Sequence, residues 1–382
     1  MSGHELSRQE LVRRTHLGTA TVFRITDALQ EENLVVDAAI IEKKERGRKA
    51  MSIAINRQYS LACGIDLGGT NCRIVVADLA GTPLQISYQP TPVHLDAVGL
   101  ATWVVEQVRA LVAATGTASP LGAAAIGLPG VVAADYRTVV ASENLGQIIG
   151  TAFTDELINQ LAVPVKIGND SNISLLGEMQ YGRARGARNV VMFTLGTGLG
   201  TGVSVNGSVI SGRSGLVGEF GRLRLPASGL RMRQLLSGAG LAQYARSRGV
   251  PVDSAADVFL ADTEEKAAIV AEVHSAARHL VSLAALAYEP ELILFAGGFS
   301  DAFGDELISE FGERLAADLG VHTEIRRSAL TKIVGILGSL TAALTLLRTE
   351  LGVSPEDAAA LPSDKELIAR TCQQLLFEGE RT

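Results

Sequence analysis

The chain has 382 residues, of which 47% are hydrophobic and 20% charged, and a formal net charge of −7. That composition excludes intrinsic disorder, and the length leaves room for about two or three domains with cores of their own. Its longest apolar stretches are broken by charge short of the ~18 residues that cross a bilayer, and the opening MSGHELSRQE lacks a signal peptide's apolar core, so a cytoplasmic protein with no membrane partner is expected. Cys63, Cys72 and Cys372 are too few and too oddly spaced for a disulfide framework or a metal cluster, and read as buried free thiols.

Charge is unevenly placed. Residues 1–57 hold ten Lys or Arg against eight Asp or Glu, a net of +2, and the remaining 24 against 33 give −9. Lys43, Lys44, Arg46, Arg48 and Lys49 fall within seven residues; taken alone, such a run is equally a solvated loop. Ser7 with Glu10 forms a capping box that opens a helix through Leu11, Val12 and Thr15. After His16-Leu17-Gly18 a second helix is predicted over 19–32, with Val22, Ile25 and Leu29 inward and Thr19, Thr21 and Arg24 outward. Helix, short glycine-containing turn, helix is a DNA-reading layout. Strands predicted at 34–41 and 51–55 make the basic run a wing tip able to lie along phosphates. Residues 1–57 therefore read as a winged helix-turn-helix whose DNA-binding residues are Thr19, Thr21, Arg24, Lys43, Lys44, Arg46, Arg48 and Lys49. Only six residues precede the first cap, too few for the helix that normally packs beneath the other two.

From Tyr59 the pattern changes to apolar strands punctuated by glycine. Strands at 61–67 and 72–78 flank Gly68-Gly69-Thr70. The plan recurs at 190–195 and 201–205 around Gly196-Thr197-Gly198, followed by Asn206-Gly207, a type I′ hairpin signal. Between these copies come helices at 97–114, 155–161 and 171–181 and strands at 123–127 and 163–167. Alternation of this kind implies an α/β sheet in each half. The expected divisions are a first lobe at 58–182, a second at 183–350 and a C-terminal tail at 351–382 with one helix at 365–377.

A glycine turn lets backbone N–H groups approach a phosphate, and two such turns across a cleft would clamp a polyphosphate; either one alone merely reverses the chain. Asp66 ends a buried strand, where a charge must be paired or metal-bound, and through water it could hold Mg2+. The strand at 292–296 runs into Gly297-Gly298, a setting for an adenosine or ribose contact. Asp170 follows a strand at the sheet's carboxyl edge. It reads both as the N-cap of the next helix and as a general base taking a proton from a substrate hydroxyl during phosphoryl transfer.

The segments Asp66-Leu67-Gly68-Gly69-Thr70-Asn71, Gly127-Leu128-Pro129-Gly130, Asn169-Asp170, the glycine-rich run from Leu195 to Gly202, and Gly218-Glu219-Phe220-Gly221 occur in one order. Together they resemble the ROK family of sugar kinases and sugar-responsive repressors, whose fold is actin-like and hexokinase-type. The likeness runs from about residue 63 to 347, and the winged helix before it resembles the DNA-binding segment of the family's xylose and N-acetylglucosamine regulators. It implies a phosphate site at Asp66, Gly68, Gly69, Thr70, Gly196, Thr197 and Gly198, an adenosine side at Gly297 and Gly298, and sugar contacts from Asn144, Asn169, Asp170 and Glu219. ATP with Mg2+ is compatible with it. The sequence departs from the family where a zinc- and sugar-binding His is replaced by Arg222, and where 223–234 contains no Cys, His or carboxylate, so no zinc is expected. Arg222, Arg224, Arg231 and Arg233 either favour a phosphorylated or acidic sugar through guanidinium forks or solvate a remodelled loop. The function implied is a sugar-responsive regulator, a repressor. It would act as a homodimer or higher homo-oligomer on operator DNA, with a sugar or sugar phosphate in the interlobe cleft. The alternative is an ATP-dependent sugar kinase with Asp170 as base.

Overall fold

A computed structural model of the chain describes residues 5–41, 50–226, 228–360 and 365–379. At the front, β1 (Glu5–Ser7), α1 (Arg8–Thr15), α2 (Thr19–Glu31), β2 (Val35–Ile41) and β3 (Ala50–Ile55) form one unit, its strands antiparallel in the order β1-β3-β2. Ser7 caps α1 by accepting the Glu10 N–H at 3.2 Å. The other half of the capping box does not form. Glu10 turns outward to Arg13 and to Arg14 at 3.0 Å, because two charge-assisted bonds outweigh one to a backbone N–H. His16 ends α1 in the left-handed region, at φ 56. The Arg8 guanidinium then joins the helices, donating to Thr26 (2.8 Å), Asp27 (2.7 Å) and Gln30 (2.6 Å) and lying over the Phe23 ring. This grip rolls α2 by one position. Val22 and Thr26 are its buried residues, and Ile25, expected inward, is 41% exposed. Thr19 and Arg24 are exposed and Thr21 is half-buried. Lys43, Lys44, Arg46, Arg48 and Lys49 lie outside the described residues. Arg57 ties the unit to the loop at 78–82: its carbonyl accepts the Leu79 N–H at 3.2 Å and its guanidinium reaches Thr82 at 3.1 Å.

The first lobe contains β4 (Leu61–Leu67), β5 (Asn71–Ala77), β6 (Pro83–Pro90), α3 (Ala97–Ala114), β7 (Leu121–Leu128), the short pair β8 (Val131–Val132) and β9 (Val139–Ala141), α4 (Ala152–Leu161), β10 (Val165–Asn169) and α5 (Asp170–Tyr181). Its sheet order is β10-β7-β4-β5-β6. The second lobe continues with β11 (Val190–Leu195), β12 (Leu199–Val205), β13 (Ser208–Val209), α6 (Met232–Leu235), α7 (Gly238–Ser247), α8 (Ala255–Phe259), α9 (Glu264–Tyr288), β14 (Leu292–Ala296), α10 (Asp305–Arg314) and β15 (Glu324–Arg327). The order here is β13-β12-β11-β14-β15. In each sheet an antiparallel three-strand meander is extended from its first strand by two parallel ones, so the duplicated hairpins are the visible part of a duplicated topology. Asn206 and Gly207 both have positive φ, 53 and 82, and join β12 to β13 as the type I′ signal requires.

The central strand β4 is an almost unbroken apolar run because both its faces are covered. Leu61, Cys63 and Ile65 meet Leu100, Val104 and Val108 of α3, while Ala62 faces the other way. Although α3 is long and apolar enough to cross a membrane, those residues pack into the lobe's core. The cover on the opposite face comes from far along the chain. It is α11 (Val334–Glu350), read from sequence as part of the second lobe, and it packs Ile336, Leu340 and Leu344 beneath β4 and β7. After α12 (Pro355–Ala360), α13 (Lys365–Gly379) adds Ile368 and Cys372 to the same core against β6. A sheet with helices on one face alone leaves half its apolar surface wet, and α11 with α13 supplies the missing layer. Helices α5 and α11 cross between the two sheets, and the chain passes between lobes over 182–189 and again over 328–333. All three cysteines are buried and free.

Candidate functional site

A cleft of about 420 Å³ is walled by both lobes. Of the residues singled out in the sequence, Asp66, Gly68, Gly69, Thr70, Asn144, Asn169, Asp170, Gly196, Thr197, Gly198, Glu219 and Gly297 all line it. Gly298 does not. Gly297, at φ 87, swings the chain so that Gly298, itself exposed, starts a 3-10 turn that buries Phe299 and Ser300. Three further charged residues of the wall were not anticipated: Arg73, Glu143 and Lys332.

Asp66 and Arg73 lie directly opposite each other in the β4–β5 ladder, and Arg73 faces Tyr88 in the next pairing. The Arg73 guanidinium contacts the Asp66 carboxylate at 3.1 Å and sits 5.2 Å from the centre of the Tyr88 ring. The signal was in the sequence, since a turn at 68–70 fixes 66 and 73 as cross-strand partners. Helix α11 closes over this pair: a Cβ at Gly335 would stand 2.7 Å from the Asp66 carboxylate. Burial therefore pushes the Asp66 carboxyl upward, and Arg73 pulls it back. The charge that the sequence left to be paired or metal-bound is paired.

Asn169 caps α5, not Asp170. Its Oδ1 accepts the N–H groups of Ser171 (2.9 Å) and Asn172 (3.1 Å), and its amide donates to the Gly130 carbonyl at 2.8 Å. Those bonds occupy most of what an asparagine side chain offers, which makes Asn169 the anchor of the helix start. Asp170 is left facing the cleft. Its Oδ1 accepts the Ser171 N–H at 2.7 Å, and no cation pairs with it among the described residues. Burial first, then the neighbouring Asp66 carboxylate, push its pKa up to about 7, with Glu219 adding to the rise and the Ser171 bonds opposing it.

That shift carries a pH prediction. A carboxyl that holds its proton more tightly folded than unfolded contributes stability that is full below about pH 4 and is lost as pH rises through about 7. Asp170→Asn keeps the acceptor for Ser171 and removes the loss. Its advantage over the parent chain should grow by on the order of 2 kcal/mol between about pH 5 and about pH 8. Denaturant unfolding at the two pH values measures this, and a difference that does not change with pH would refute it.

At the position where the resemblance has histidine, Arg222 donates to Glu219 at 2.9 Å. Arg233 on α6 pairs with Glu143 of the first lobe, so this contact spans the cleft. Of the four arginines noted in sequence, only Arg222 and Arg233 line the cleft. Arg224 and Arg231 pair with each other's backbone in a tight loop. Its Leu225 N–H donates to Leu230 O at 2.8 Å, and both leucines pack on the second-lobe core.

Two sheets of one topology, a helix pair between them and a cleft walled by a glycine turn from each lobe define an actin-like α/β protein of the sugar-kinase type. A sequence model of the ROK family matches residues 62–345, and the chain belongs to that family. The glucokinase of Streptomyces coelicolor is 30% identical over 209 residues, a match covering 53% of this chain and 64% of the kinase. A xylose repressor of Caldicellulosiruptor bescii is 25% identical over 217 residues, covering 56% of this chain and 54% of the repressor. In fold, the ROK hexokinase of Thermus thermophilus matches 76% of this chain and 99% of its own with a TM-score of 0.65 at 23% identity. A ROK family transcriptional regulator homologous to the Escherichia coli MLC protein matches 96% of this chain and 94% of its own, with a TM-score of 0.71 at 18% identity.

Proposed function

We propose that this protein is a sugar-responsive transcriptional regulator, a repressor, that binds operator DNA through residues 1–57 and a sugar or sugar derivative in the interlobe cleft. The observation that carries the reading is the unit β1-α1-α2-β2-β3 ahead of the family body, whose helix pair and three-stranded sheet support a winged helix-turn-helix reading. Support comes from the extent of fold likeness, which reaches 96% of this chain for the regulator and 76% for the hexokinase. In this reading α2 enters the major groove with Thr19, Thr21 and Arg24 forward, while the run 43–49 lies along phosphates. One such module binds weakly, so two copies of the chain act together on a palindrome. Within the cleft, Asn144, Asp170 and Glu219 take sugar hydroxyls, and Asn169 holds Asp170 in position. Glu219 with Arg222 offers an acceptor beside a donor fork, suited to adjacent hydroxyls or to an acidic substituent. The turns at 68–70 and 196–198, with Gly297, form the side that would take a phosphate group.

One observation favours a second reading as a sugar kinase. A carboxyl without a cation and held near neutrality is what a general base for phosphoryl transfer needs, and Asp170 is such a group. Against it, Asp66 is committed to Arg73, so a divalent cation would have to compete with a guanidinium for that carboxylate. The deciding experiment titrates the protein against its own upstream DNA at two salt concentrations, with and without pentoses, hexoses and their phosphates. Nanomolar-range binding, a steep salt dependence and release by one sugar or sugar phosphate are expected. Absent or salt-insensitive binding, together with sugar-stimulated ADP formation that Asp170→Asn abolishes, overturns the regulator in favour of the kinase.

A further inference from the structure

The chain crosses between the lobes twice, and one carboxylate touches both crossings. Glu178, near the end of α5, is completely buried. Its Oε2 accepts the backbone N–H of Arg183 at 2.8 Å, in the outward crossing, and its Oε1 accepts the Ser328 hydroxyl, in the returning one. Ser328 is fixed in turn to the second sheet, since its N–H donates to the Phe295 carbonyl of β14 at 2.7 Å. The room for this arrangement is made by Gly182, where a Cβ would lie 2.0 Å from Glu178 Oε2. Among the described residues no cation pairs with Glu178. A buried carboxylate without one depends on its hydrogen-bond donors, and here each donor belongs to a different crossing.

We propose that Glu178 is a clasp that fixes the angle between the two lobes. Hinge motion of a bilobal protein is absorbed by the few residues that cross between its halves. An acceptor held rigidly on α5 makes the two crossings move together or not at all, because independent motion strips a donor from a buried acceptor. The same helix presents Asp170 to the cleft at its other end, so lobe angle and cleft geometry share one rigid element. This inference stands whether the cleft serves a regulator or a kinase.

The test uses the full chain with Tyr136→Cys and Leu260→Cys, exposed positions of the first and second lobes, carrying nitroxide labels; the native cysteines are buried. Ser328→Ala removes one arm of the clasp and Gly182→Ala displaces the carboxylate from the other. In each variant the interlobe distance distribution should widen or shift by pulsed electron resonance. Amides of 182–189 and 328–333 should exchange about tenfold faster, the factor expected for one lost buried hydrogen bond. Protection of β4 and β14 should be unchanged, which shows that the lobes remain folded. An unchanged distance distribution in both variants overturns the proposal, even with faster local exchange, because the bonds would then be ornaments of the crossings and not their constraint.

Discussion

Gly338→Ala is expected to destabilise the protein by about 3 kcal/mol or more, the scale of overpacking that cannot relax. A Cβ at Gly338 would lie 1.8 Å from the carbonyl oxygen of Ile173, and one at Gly177 would lie 2.5 Å from that of Val334. Helices α5 and α11 therefore meet backbone to backbone. A clash with backbone has no rotamer to escape through, so the helices must part along the seam between the sheets, and the packing of Ile336 and Leu340 opens with them. Urea unfolding of the variant measures the cost. Gly146→Ala, where an added Cβ meets nothing within 4 Å, is the control and should change stability by a few tenths of a kcal/mol. A Gly338→Ala protein as stable as that control would show that the helices slide apart freely.

A chain beginning at Gln58 is expected to lose specific DNA affinity by at least about a hundredfold, while the lobes still unfold cooperatively. Arg57 is the point at which the front unit is joined to the loop 78–82, and the sheets and their helices begin at Leu61, so the cut removes the proposed reading helix and leaves both cores whole. Within the full chain, Arg24→Ala should weaken binding roughly tenfold, the scale of one lost guanidinium contact, without changing the melting temperature, since Arg24 is exposed. Electrophoretic mobility shift on the upstream DNA checks both. Equal affinity of the shortened and full chains would move DNA binding elsewhere or remove it.

Much of the body was legible in the sequence, for a physical reason. Glycine turns between apolar strands are local signals, so 61–67, 97–114 and 190–195 were placed to the residue. What sequence reasoning missed depended on partners distant in the chain. The helix at 334–350 looks like any apolar helix; nothing local says that it serves a sheet begun more than 250 residues earlier, as the bond from Ser339 Oγ to Ile65 O (|i−j| = 274) shows. Ile25 was misplaced because Arg8, not hydrophobic periodicity, sets the roll of α2. In the cleft, Asp66, Asp170, Glu219 and the glycines were found by type and position, whereas Glu143 and the pairing of Arg222 with Glu219 and of Arg233 with Glu143 rest on neighbours brought together only by the fold.

The return of α11 to the first sheet makes the second lobe an insertion within a split neighbour. A ribosome emits β11 through β15 as one contiguous stretch able to fold on emergence, whereas the opposite side of β4 and β7 stays bare until residues 334–350 arrive. Nascent chains halted before that point should expose apolar sheet to chaperones and proteases, and the earlier-made lobe should be the later one to become protected.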